Sequence, residues 1–172
     1  MSNDVPAMWM RGGTSKGLYF LKNDLPSNKV ERDKFLLSIF GSPDRLQING
    51  IGGGNPLTSK VAIISKSKKP DIDIDYLFLQ VSVDNTLVSD TQNCGNILAG
   101  IAPFAIERGL VKPKYGHGET SVKIYMENTK QMAIASVQTP KGKITYKGET
   151  YIDGVPKPSS PISLEFLDRK ST

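Results

Sequence analysis

The sequence predicts an α+β fold in which many strands wrap around one very apolar helix. Three observations carry this. From Asn96 to Arg108 the chain is apolar on nearly all sides (Ile97, Leu98, Ala99, Ile101, Ala102, Phe104, Ala105, Ile106), as a helix buried all round must be. Short strand-like segments crowd both sides of it. They do not alternate strictly with helices, so the class is α+β rather than a regular β-α-β array.

The elements follow in order. Gly17 to Leu21 reads as a short strand. Ser27 or Asn28 caps a helix over Lys29 to Phe40, stopped by Gly41 and Pro43. Asp44 to Pro56 is a loop carrying Gly50, Gly52, Gly53 and Gly54. Ser59 to Ser65 is a strand whose Val-Ala-Ile-Ile centre predicts burial on both faces. Asp73 to Val83 is a long strand, with Ile74, Tyr76 and Phe78 on one parity and Leu77, Leu79, Val81 and Val83 on the other. A polar loop from Asn85 to Asn93 leads into the apolar helix, which Pro103 is expected to kink and Gly109 to cap. Ser121 to Met126, Gln131 to Val137, Ile144 to Ile152 and Ile162 to Phe166 read as further strands. Asn128-Thr129-Lys130 and Thr139-Pro140-Lys141-Gly142 read as turns between them.

Composition narrows the function classes. The 172 residues carry 22 Lys and Arg against 17 Asp and Glu, for a net charge of +5. A chain this long buries about 70% of its unfolded surface and folds without disulfides or a structural metal. The basic residues are scattered, and the densest run, Lys66 to Pro70, reads as a solvated turn. No nucleic-acid reading motif accompanies it, so no nucleic-acid partner is expected. No apolar run approaches a membrane span, and Met1 to Met10 lacks a signal-peptide pattern. The single Cys, Cys94, fits a reducing, cytoplasmic setting.

Three constellations bear chemistry. Asn93-Cys94-Gly95-Asn96 opens the apolar helix. A helix start offers unpaired N–H groups to anions, and a thiol there reads either as a reactive cysteine or as an inert buried one. Gly50-Ile51-Gly52-Gly53-Gly54-Asn55-Pro56-Leu57-Thr58-Ser59-Lys60 precedes a strand. It matches neither a Walker loop nor a dinucleotide fingerprint. Lys60 reads either as a base delivered from a strand end or as an exposed lysine on a glycine-rich turn. Arg11-Gly12-Gly13-Thr14-Ser15-Lys16-Gly17 echoes it, and Arg11 could grip a carboxylate. Both loops could equally be common loop residues in chance register. His117 has no second His or Cys nearby and implies no metal site. Trp9 reads as a core anchor rather than a ligand stack.

Taken together, these three units resemble the PrpF family, which comprises 2-methylaconitate, 3-methylitaconate and 4-oxalomesaconate isomerases and tautomerases. Tyr76-Leu77-Phe78-x-Gln80-Val81 and Pro103-Phe104-Ala105-Ile106-Glu107-x-Gly109-Leu110-Val111 extend the likeness over essentially the whole chain. The resemblance implies a diaminopimelate epimerase-like fold, a curved mixed sheet about a central helix, and an active site in the cleft between two such domains. It implies no metal and no organic cofactor. It assigns Lys60 and Cys94 as the acid/base pair of a 1,3-proton shift in a small unsaturated di- or tricarboxylate. The residues themselves agree: Arg11, Thr14 and Ser15, the Gly53, Gly54, Asn55 and Ser59 loop, and the backbone of Gly95 and Asn96 are the expected substrate-binding positions, offering donors to carboxylates.

Family members are about twice as long. Residues 1–172 are therefore expected to form one N-terminal-type domain whose second domain is absent, leaving the cleft open to water and the chain alone weakly active or inactive, with a second copy or the missing domain as its expected partner. Val155-Pro156-Lys157 departs from the family, where a Gly usually follows the Pro. The rival reading is a carboxylate-binding or self-associating domain without activity. An amino-acid epimerase of the same fold would want a second Cys facing Cys94, and the chain has one Cys in all.

Overall fold

The computed structural model describes residues 4–167. The end of the chain and part of the Met1 to Met10 segment lie outside the described residues. Strand β1 (Met8–Gly12) pairs with β2 (Ser15–Leu21) through a two-residue turn, Gly13-Thr14. Gly13 has φ 52°, a conformation open to glycine at no steric cost. Arg11 to Gly17 is thus the tip of a hairpin rather than a free loop, and β1 is a strand that the sequence pattern does not flag.

Helix α1 (Lys29–Phe40) starts where Asn28 Oδ1 accepts from the Val30 and Glu31 amides at 2.9 and 3.2 Å, and stops at Gly41 with φ 78°. Strand β3 (Lys60–Lys66) runs parallel to β2, and β4 (Ile74–Val81) runs antiparallel to β3. The far edge of β4 is shared. The short β5 (Val88–Ser89) pairs with Gln80 and Val81, while β6 (Glu119–Met126) lies parallel to Ile74–Tyr76. Strands β7 (Gln131–Gln138) and β8 (Ile162–Leu167) follow antiparallel, so the sheet order is β1-β2-β3-β4-β6-β7-β8 with β5 beside β4.

Side-chain alternation splits the apolar residues into two cores. On the inner face Tyr19, Ala62, Ile64, Ile74, Tyr76, Phe78, Val122, Ile124, Met126, Ala133, Ala135 and Val137 enclose the central helical segment. On the outer face Leu18, Phe20, Val61, Ile63, Leu79 and Val81 meet Leu36 and Phe40 of α1. Both faces of β3 are buried, as its unbroken apolar run predicts. Each fully buried large side chain contributes about 1.5–3 kcal/mol. Trp9, expected as a core anchor, is 44% exposed and meets Phe40 in a tilted contact at 6.4 Å. Its parity puts it on the outer side of an edge strand.

Two elements differ from the sequence reading. The central helix is two pieces, α2 (Gly95–Leu98) and α3 (Ile101–Glu107). The break falls at Ala99-Gly100 and not at Pro103. Pro103 sits in the first turn of α3, where its missing N–H costs nothing. Gly100 lies against the Tyr19 hydroxyl, and a Cβ there would collide with it. The second difference is Ile144 to Ile152, which is irregular apart from one bridge, Thr150 to Ser159. Both edges of β7 are already taken, by β6 and β8. No ladder is left for this segment, although Ile144 still packs on the inner core.

The glycines of the central segment separate close approach from helix propensity. Gly100→Ala is expected to lower stability by about 1–3 kcal/mol, because the methyl group overpacks Tyr19. A Cβ at Gly95 would meet nothing within 4 Å. Gly95→Ala is therefore expected to be neutral or to gain about 0.5–1 kcal/mol. Urea denaturation of the two variants checks this; equal effects would contradict the packing argument.

Candidate active site at the polar rim of the inner face

The candidate site grows out of strand register. Gly17 pairs with Lys60, Lys60 with Gln80, and Gln80 with Ser89, so one rung crosses β2, β3, β4 and β5. By alternation these positions share the inner face with Tyr19, Ala62 and Phe78, one step closer to the sheet's end. Large apolar side chains fill the interior, and small or polar ones form its rim. Gly17 has a structural reason for its size. A Cβ there would strike the Lys60 carbonyl and stand 3.2 Å from Lys60 Cβ.

Lys60 is half-buried at the head of β3. Its Nζ donates to Gln80 Oε1 at 3.2 Å and lies 5.3 Å from the centre of the Phe78 ring. The Gln80 amide nitrogen in turn donates to the carbonyls of Pro56, Ser59 and Val81 at 3.1, 3.0 and 3.2 Å. Gln80 therefore ties the lysine to the loop that delivers it. Gln80 is not among the site residues expected from the sequence. A signal was available: it continues the Ile74, Tyr76, Phe78 parity and is the first polar side chain on that core-facing row.

Cys94 is half-buried against the inner core and stands just before α2. Its backbone carbonyl accepts from the Leu98 amide at 3.0 Å, and its amide donates to Asn93 Oδ1 at 2.8 Å. Helix α2 packs on β1, β2 and β3. Asn96 fastens it to the hairpin tip, donating from Nδ2 to Thr14 Oγ1 at 3.0 Å and to Ser15 Oγ at 3.4 Å. Gly12 and Gly13 lie so close to Asn96 that a side chain on either would collide with it. The structure thus brings Thr14, Ser15, Gly95 and Asn96 together beside the rung that holds Lys60.

Arg11 is exposed, and it donates to the Gly13 carbonyl at 2.8 Å and to Ser159 Oγ at 3.3 Å. It lines, with Gly12, Gly13, Gly95 and Asn96, a cleft of about 800 Å³ between β1, the broken helix and the 144–164 segment. Lys60 and Cys94 do not line this cleft. Tyr146, at its wall, donates to Glu107 Oε1 at 3.2 Å; burial and then the Glu107 charge push its phenol up to about 12.

The glycine-rich loop is largely occupied with holding itself. Gln47 is buried, and its Oε1 accepts from the Gly54 amide at 2.9 Å and from Ser59 Oγ at 3.0 Å. Ser59 is also buried and donates to the Asn55 carbonyl at 2.9 Å. Asn55 Oδ1 accepts from the Leu57 amide at 2.8 Å, capping a single 3-10 turn. Gly53 packs against the Thr58 hydroxyl. In this structure Gly54, Asn55 and Ser59 thus use polar groups to shape the approach to Lys60. Gln47 was not anticipated, since nothing in its local sequence distinguishes it from a loop glutamine. Among the described residues no three His, Cys, Asp or Glu side chains gather as a metal-binding group, and no helix is long and apolar enough to cross a membrane.

A mixed sheet curled around a buried, broken helix defines a domain of the diaminopimelate epimerase-like class. A solved Methylitaconate-delta-isomerase shares the fold with a TM-score of 0.88 at 46% identity, covering 93% of this chain and 41% of that one. The model of the family described as "PrpF protein" matches residues 2–172, and the chain belongs to that family. It is 61% identical to a (4E)-oxalomesaconate Delta-isomerase of Novosphingobium sp. (strain KA1), covering 96% of this chain and 46% of that protein. It is 54% identical to a 4-oxalomesaconate tautomerase of Pseudomonas putida, covering 95% of this chain and 45% of that protein. The chain therefore spans about half the length of the curated relatives it matches.

The Gln47 anchor can be tested on stability alone. Gln47→Leu leaves the Gly54 amide without its acceptor, while the Ser59 hydroxyl keeps the Asn55 carbonyl. It is expected to cost about 1–3 kcal/mol for the stranded amide. Urea denaturation reads the loss; an unchanged midpoint would mean that the loop does not depend on Gln47.

Proposed function

We propose that this chain is the N-terminal domain of a two-domain isomerase that needs no cofactor. The enzyme moves a C=C bond in a small unsaturated di- or tricarboxylate of the methylaconitate, methylitaconate or oxalomesaconate type. Lys60 and Cys94 are the acid/base pair, and the reaction belongs in a reducing cytoplasm that keeps Cys94 a free thiol. The single observation that carries this reading is the rim itself. Lys60 is fixed by Gln80 over Phe78, and the Cys94-Gly95-Asn96 turn is pinned by Thr14 and Ser15 at the same end of the inner face.

The chemistry asks for these parts. One member of the pair removes a proton from the carbon adjacent to the C=C–carboxylate system. The electron pair delocalises through the double bond into the carboxylate as a dienolate. The other member delivers a proton to the far carbon, and the double bond ends one position along. Charge that builds on the carboxylates needs fixed donors. The first turn of α2 leaves the Gly95 and Asn96 amides without intrahelical acceptors. Arg11, Thr14 and Ser15 stand beside them, and the Gly53–Asn55 loop borders Lys60. Holding the acid by its carboxylates sets which carbon faces which group.

The test joins this chain to the second half of the Novosphingobium relative and follows the acids in D₂O by NMR. The fused protein is expected to shift the double bond with deuterium uptake, and the chain alone to show weak turnover or none. In the fusion, Cys94→Ala and Lys60→Met are each expected to lower the rate by about 10²–10⁴-fold. Full activity in either variant would overturn the assignment.

A further inference from the structure

Among the described residues, two buried side-chain oxygens have no hydrogen-bond partner, Asp24 Oδ2 and the Tyr76 hydroxyl. Asp24 Oδ2 is faced by Arg108 at 3.6 Å. The ionisable groups that act on Tyr76 are Tyr19 and Cys94. Tyr76 has no exposed surface, and its ring sits in the inner core between β3 and β6. An unmade hydrogen bond at such a site costs about 1–3 kcal/mol, and phenylalanine would fill the space without that cost.

The surroundings of Tyr76 explain its hydroxyl. Tyr76 and Met126 are ladder partners on β4 and β6, and the Asn93 side chain reaches the Met126 sulfur. Cys94 follows directly and packs on the same cluster. The other buried phenol at this end, Tyr19, has its proton committed, donating to the Ile97 carbonyl at 2.8 Å. Other groups on the elements around this rim are Lys60 at the head of β3 and Arg11 at the end of β1. Burial, then the charges of Tyr19 and Cys94, hold the Tyr76 phenol well above its ordinary value, so it remains a donor while a thiolate is present.

We propose that Tyr76 is a positioning residue for Cys94. Its hydroxyl supplies a hydrogen bond, direct or through one water, to the thiolate that exists whenever Cys94 is without its proton. Tyr76 keeps its own proton throughout and touches no substrate. The proposal rests on Cys94 acting in proton transfer. Its test uses no substrate, so it fails or stands separately from the function.

Cys94 is the only cysteine, so alkylation of the 172-residue chain by iodoacetamide reports on it alone. Losing a donor to a thiolate lowers the thiolate fraction and leaves the remaining thiolate more nucleophilic. Tyr76→Phe is therefore expected to slow alkylation at pH 7 by about 3–10-fold, with the gap closing and reversing toward pH 10. The melting temperature is expected to hold or rise. Tyr19→Phe should lower it, through loss of the bond to Ile97, and leave the shape of the pH–rate curve intact. Equal rates at every pH, or one constant factor at every pH, would overturn the proposal. So would a lowered melting temperature in Tyr76→Phe, or the same crossing curve in Tyr19→Phe.

Discussion

The parallel ladder between β2 and β3 aligns Gly17 with Lys60, and the site follows from that alignment. Alternation leaves no choice about faces. Once Ala62 and Ile64 point inward, Lys60 points inward too, to the end of the sheet where the apolar interior gives out. A slip of one residue would send Lys60 to the outer face and strand Val61 and Ile63 away from α1. The buried runs on both faces of β3 therefore hold the catalytic candidate in place more firmly than any polar contact it makes. Gln80 refines the position of the amine; register decides where it is.

Much of this was legible locally. The α1 boundaries follow from Asn28 and Gly41, each of which satisfies backbone groups within a few residues. The inner parity of β4 could be read directly, and with it the odd polar member Gln80. What could not be read depends on partners far along the chain. Glycine is required at position 100, where the helix breaks, because Tyr19, from β2, occupies the place of a side chain there. Residues Ile144 to Ile152 have a strand-like pattern, but β8 holds the edge they would need. Gln47 matters only because the loop folds back so that Gly54 and Ser59 meet it. The residues of the candidate site were named by motif, while the residues that orient them were mostly hidden.

The hydrogen bonds also divide the three motifs by task. At the hairpin tip and the start of α2, small residues let Asn96 come close, and Thr14 and Ser15 hold it. In the glycine-rich loop, by contrast, the polar groups turn inward toward Gln47 and Asn55. Similar-looking segments thus do different work: one forms a wall beside the cleft, the other a bracket behind a lysine. The similarity between the two Thr-Ser-Lys stretches is one of sequence, and their surroundings set them apart.

The connection between β2 and β3 has a further consequence for how the chain acquires this arrangement. The two strands are neighbours in space, yet α1 and the glycine-rich loop lie between them in sequence. Hairpins such as β1–β2 and β6–β7 close short loops and can form early. The β2–β3 pairing must meet a larger loop-closure entropy before any contact rewards it. Lys60 therefore joins Gly17 only when the non-local part of the sheet assembles. The order of assembly puts the candidate site last: a chain with its local hairpins formed but β3 undocked would hold most of its secondary structure and none of the alignment that brings Lys60 to the inner face.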